Sequence, residues 1–232
     1  MPLSLPLVGS RRSAIGLLLA LGAAGALAGQ DGPVSGRLTV VERGDRSAED
    51  VGQAVVWLEG GTPVRTAPAR PDMSTENKQF LPHVLVVPTG SSIVFPNHDP
   101  FNHNVFSLSE ADPFDLGLYG RGEGKSASFD RPGIIRVYCN VHATMSGFIL
   151  VIDSPYFGQP SGDGSFSLRE VPPGEYTLHA WHERAKEQLA LPIQVPAGGL
   201  SGLDLRLDAR TYKFKAHLNK YGQPYSRQGS RY

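Results

Sequence analysis

The sequence predicts an all-β protein built from β-sandwiches, on three observations. The apolar segments are short, rich in Val, Ile, Leu, Phe or Tyr, and flanked by Gly, Pro, Asn or Asp. The 27 Gly and 19 Pro interrupt the chain too often for long helices. Many short strand-like segments recur with frequent turn signals between them, which is the pattern of sandwiches. Only short helical turns are expected, around 110–118 and 183–188.

The chain opens on "MPLSLPLVGSRRSAIGLLLALGAAGALAGQ". Two arginines, an apolar run from Ala14 to Leu27 and a small-residue ending at Ala28 make residues 1–28 an expected export signal. The apolar run is Gly/Ala-rich and short for a membrane span, with an uncleaved anchor as the alternative. Arg11-Arg12 hints at twin-arginine export, but the following residues match that signal only loosely, so Sec or Tat stays open. No stable span is expected after cleavage.

Strands are then expected near 34–41, 54–59, 84–88, 91–95, 104–107, 126–129, 133–138 and 147–153. A last group falls near 165–168, 176–182, 190–195 and 203–207. Two β-units are visible: one at 61–153, and one at 154–208 that begins after a junction with a tight turn at Gly162-Asp163-Gly164. The strands of 34–60 belong either to the later unit, divided around the middle one, or to the middle unit as its first strand.

Charge is uneven. Without its leader the chain has 20 basic and 22 acidic residues, but 206–232 has seven Lys/Arg against one acid, Asp208. The tail at 209–232 reads as a solvated, partly disordered end. The alternative is electrostatic steering of a partner by the tail or by the acidic body. Neither reads as a nucleic-acid grip.

Cys139 is the chain's single cysteine, so an exported chain can form no internal disulfide. A lone thiol in an oxidising compartment needs burial or a metal. In "RVYCNVHATM" the spacing is Cys-x2-His-x2-Met. Some 35 residues earlier, "HNVFS" places His103 at the start of a strand, on the face of Val105 and Ser107, with Asn104 and Phe106 opposite. Two imidazoles, a thiolate and a thioether suit copper, and a His2Cys plane with a weak axial Met is the ligand set of blue-copper electron-transfer sites.

At this point a resemblance appears. "KQFLPHVLVVPTGSSIVFPNHDPFNHNVFS" resembles the segment leading to the first histidine ligand of plastocyanins and pseudoazurins, and "VYCNVHATM" resembles the short ligand loop of amicyanin. The middle unit thus resembles a Greek-key cupredoxin. "DGSFSLREVPPGEYTLHAWHE" resembles the carboxypeptidase regulatory-like (transthyretin-like) module, a smaller sandwich, as does "GRLTVV…AVVWLEG". The whole order resembles periplasmic methylamine-utilisation-type proteins and covers about 34 to 208. The resemblance implies one type 1 copper ion held by His103, Cys139, His142 and axial Met145, with Asn104 tying the two ligand segments together. His142 would lie nearest solvent and serve as the electron exit. It further implies a periplasmic carrier of single electrons, not an enzyme, whose partner is a cytochrome or dehydrogenase.

Rival readings remain open. His98, in a turn-forming run, competes with His103, and Met145 could be core filler. Cys139 could be an inert buried thiol. His179 and His182 lie three apart on one strand and face opposite ways, while His83 and His217 stand alone. Trp57, Trp181 and Phe166 read as core of the second unit. No His-x-His pair, phosphate loop or nucleophile elbow occurs. A copper(I) delivery protein and an exported structural or glycan-binding module are the alternative functions.

Overall fold

The computed structural model describes residues 30–62 and 66–225, so the expected export signal lies outside the described residues. Two strands come first, β1 (Gly32–Val41) and β2 (Val55–Gly60), separated by a 3-10 turn at Val51–Gln53. A middle group follows: β3 (Ser74–Glu76), β4 (Gln79–Leu81), β5 (Val84–Pro88), β6 (Ser91–Asn97), β7 (His103–Ser107), β8 (Phe114–Tyr119), β9 (Gly122–Phe129), β10 (Gly133–Cys139) and β11 (Ser146–Ile152). The last are β12 (Phe157–Gly158), β13 (Ser165–Val171), β14 (Gly174–Trp181), β15 (Leu189–Val195) and β16 (Leu200–Asp208). The protein is all-β, and among the described residues no helix is long and apolar enough to cross a membrane.

The middle strands form two sheets, β5-β11-β10-β7-β8 and β4-β3-β6-β9. Between them lies a core that includes Phe80, Ile93, Phe95, Phe129, Ile135 and Ile149. The other two sheets, β13-β1-β16 and β12-β2-β14-β15, enclose a core with Val34, Leu38, Leu58, Phe166 and Leu178. In the latter pair, β1 lies between β13 and β16, and β2 pairs antiparallel with β14, with Trp57 opposite His179. The second sandwich is therefore assembled from strands on both sides of the first in sequence.

β11 shows why its sequence, SGFILVI, is apolar at consecutive positions. Ile149 and Val151 point into the middle core, while Phe148, Leu150 and Ile152 point the other way. These outer residues meet Val55 and Trp181 in a third apolar layer between the sandwiches, with Trp57 against it. A strand buried on both faces loses its polar alternation. The same layer corrects one expectation: Phe166 is core of the second sandwich, but Trp57 and Trp181 belong to the contact between units. Trp181 packs on Phe148 with ring centroids 5.1 Å apart.

The expected helical turn at 110–118 is instead largely strand β8, paired with β7. Phe114 and Leu116 pack on the middle core, but Gly117 adopts φ +67°, a left-handed value that glycine accommodates readily. The pairing shifts between Asn104 and Phe106, and Tyr119 then returns to the core side. This irregularity breaks the period-2 signal. Residues 183–188 contain turns but no helix.

Candidate metal centre

The site is built where two strands end. β7 begins with His103, fully buried, and β10 ends with Cys139, also fully buried. β7 and β10 are antiparallel neighbours, with Cys139 opposite Val105, so the start of one strand meets the end of the other. The segment after Cys139 is a tight loop returning into β11. Main-chain bonds close it, from Cys139 N–H to the Met145 carbonyl and from Met145 N–H to the His142 carbonyl, both 3.1 Å. Asn140 N–H donates to the Asn104 carbonyl at 2.9 Å, joining the loop to β7.

This folding carries His142 back towards the cysteine. His103 Nδ1 lies 3.4 Å and His142 Nδ1 3.6 Å from Cys139 Sγ. Ligand atoms of the three residues all lie within 4.8 Å of one another. The imidazole centroids are 5.0 Å apart, and Phe101 sets its ring against both. Met145 is buried at the end of the same loop, in the core that holds Cys139. His98, the rival of His103, is exposed, and its carbonyl accepts from Arg121.

Asp99 was not singled out from sequence, yet it orients the first histidine. Its Oδ2 accepts His103 Nε2–H at 2.8 Å, and its carboxylate also accepts the amides of Asn77 (2.8 Å) and Lys78 (3.0 Å). Burial alone would raise the Asp99 pKa, but the Lys78 amide, His103 and the Asn77 amide outweigh it and hold the carboxyl below its usual range. With the Nε2 proton committed to Asp99, the Nδ1 lone pair faces the cysteine. Burial pushes the His103 pKa down and favours the neutral ring that can ligate, while Asp99 opposes that shift.

Burial pushes the Cys139 thiol up, while backbone N–H groups of Asn104, Val141 and His142 favour its thiolate. A cation between the two Nδ1 atoms would complete that stabilisation. The residues present therefore fit a soft metal ion: two imidazoles and a sulfur already approached by N–H donors, with Met145 buried at the end of the same loop.

The Asn104 carbonyl accepts the Asn140 N–H at 2.9 Å, linking β7 to the loop after Cys139, while its side chain donates to Asp115 at 2.6 Å. The remaining histidines have other partners. His179 stacks on Trp57 and bonds Glu59, and His83 bonds Glu183. His217 lies on Tyr138, next to Cys139, because residues 210–225 fold back across the ligand loop. In the described part of the basic tail, His217, Lys220 and Tyr225 thus touch the loop, while Tyr212, Phe214, Leu218 and Tyr221 stay exposed.

Solved structures similar to this chain include amicyanin from Paracoccus versutus, at 19% identity and TM-score 0.33 over 35% of this chain and 79% of that one. A Sinorhizobium pseudoazurin matches at 20% identity and TM-score 0.32 over 37% of this chain and 76% of that one. These structures are cupredoxins. A copper-containing nitrite reductase from Thermus scotoductus matches at 27% identity and TM-score 0.33, over 40% of this chain but only 24% of that one. No protein-family model matches the chain, and no curated protein matches it significantly.

Proposed function

We propose that the chain is an exported, periplasmic carrier of single electrons, and not an enzyme. Its middle unit, residues 61–153, would hold one type 1 copper ion through His103, Cys139, His142 and Met145. Residues 34–60 and 154–208 would form the regulatory-like unit beside it. The observation that carries this reading is the meeting of two imidazoles and one thiol within 4.8 Å in a buried pocket.

Copper bound there supplies a one-electron couple between Cu(I) and Cu(II). The chain's residues fix the surroundings of that couple. Asp99 holds the His103 ring, the backbone N–H groups hold the sulfur, and the closed loop resists rearrangement as charge changes. His142 borders a surface depression of about 440 Å³, lined by Pro100, Phe101, Asn102, Leu118 and Val141. Its apolar rim suits the brief, small contacts of redox proteins such as a cytochrome or dehydrogenase. Burial favours a resident ion over cargo: His103 is 0% and His142 8% exposed, which leaves a receiving protein little to grasp.

The test is copper binding by the mature chain. One ion per chain is expected, with His103→Ala and Cys139→Ser losing tight binding and His98→Ala keeping it. Retained tight binding in both His103→Ala and Cys139→Ser would overturn the assignment.

A further inference from the structure

Beyond the four proposed ligands, the metal loop is held from outside by the end of the chain. Residues 209–225 follow β16 without further strands and cross the loop between Cys139 and Met145. Their polar contacts converge on the residues that bear or flank ligands. The Tyr225 hydroxyl donates to the Cys139 carbonyl at 2.7 Å. His217 Nε2 lies 3.3 Å from the His142 carbonyl. The Lys220 amide donates to Asn140 Oδ1 at 2.9 Å.

Lys220 also reaches the other ligand segment. Its ammonium lies 2.7 Å from Asp115, the carboxylate that accepts the Asn104 side chain, and Asn104 directly follows His103. One residue therefore bridges both ligand segments. The His217 ring stacks on Tyr138 at 4.4 Å, and Tyr225 meets His217 edge-on at 5.3 Å. The segment's own large apolar side chains do little to fasten it: Phe214 is 61%, Leu218 50% and Tyr221 74% exposed. What docks the segment is mainly its bonding and stacking to the loop, not burial of its own bulk.

We propose that residues 212–225 form a strap that completes the metal centre, with Tyr225, His217 and Lys220 as positioning residues for the ligand loop. This rests on the reading of 139–145 as that loop. The ligand loop is short, and the segment reaches its carbonyls at Cys139 and His142. Bonds to a segment tethered to the end of β16 restrict the loop before any ion arrives. Such preorganisation is how outer groups set metal affinity and ligand geometry.

The experiment compares the wild type, a chain lacking 211–232, and Tyr225→Phe, which keeps the ring and removes the donor. In the metal-free chains, amide exchange at Cys139, Asn140 and Met145 should quicken more than tenfold on truncation. In Tyr225→Phe it should quicken by about twofold to tenfold, the net worth of one hydrogen bond. Amides of β13 and β14 should not change. In copper-loaded chains, release to excess chelator should quicken in the same order, and the visible absorption maximum should move in Tyr225→Phe while its melting temperature holds. Unchanged loop exchange in both variants overturns the strap. Should the truncated chain fail to fold, Tyr225→Phe decides alone. If the wild type binds no copper, the functional reading fails and the metal-free exchange still decides the strap.

Discussion

Asp99 stands four residues before His103 and holds the ring by the nitrogen that faces away from Cys139. A carboxylate in this position fixes tautomer and orientation, and losing such a partner costs about 10- to 100-fold in metal affinity. Asp99→Asn should weaken copper binding by that factor without unfolding the chain, as read by competition with a chelator. Met145→Leu should keep the ion but raise the reduction potential, because loss of a weak axial donor disfavours Cu(II) most. An unchanged potential would make Met145 a core residue. The His103, Cys139 and His142 cluster was legible in the sequence because these residues carry distinctive chemistry at a distinctive spacing. Asp99 was not, since "NHDPF" also reads as an ordinary turn. Tyr225, His217 and Lys220 lie in a polar, Gly-containing stretch, and only tertiary contact shows what they meet.

Among the strands, β11 is placed to report on both of its faces. Ile149 is buried in the middle core and Leu150 in the layer between the sandwiches. Truncating a buried aliphatic side chain costs about 2–5 kcal/mol. Ile149→Ala and Leu150→Ala should each lower stability by that amount in chemical denaturation, although they point in opposite directions. A cost below about 1 kcal/mol for Leu150→Ala would mean that the second face is not packed. Most long strands could be read from apolar runs between turn residues. The hairpin of β3 and β4 could not: each strand has three residues, and its turn at Asn77-Lys78 has positive φ at both positions without a glycine. Nor could β8, whose alternation is broken at Gly117.

At the scale of the molecule, the two sandwiches are joined by an ion pair beside their apolar layer. His83 Nε2 lies 3.0 Å from Glu183, one on each unit. The hydrogen bond to Glu183 raises the His83 pKa from 6.5 against the opposing effect of burial. Burial pushes Glu183 up, but the bond and charge of His83, with His182 and Arg184, hold it below 4.5. The histidine's contribution is complete below 6.5 and is lost as pH rises through its raised folded value. The glutamate's is present above 4.5 and is lost as pH falls through its lowered one. His83→Gln should therefore destabilise most between those two values and least at alkaline pH, measured by denaturation across pH. A loss of stability that is flat with pH would show that the pair does not hold charge. Which strands form which sandwich was left open by sequence, because both placements of 34–60 satisfy the same alternation. Pairing of β2 with β14 is a long-range fact that no local pattern encodes.

The visible absorption spectrum of the oxidised, copper-loaded chain tests the central claim most directly. A thiolate bound to Cu(II) beside two imidazoles should give an intense blue or green charge-transfer band that disappears in Cys139→Ser. A colourless, redox-silent copper complex, or a band that survives Cys139→Ser, would contradict it.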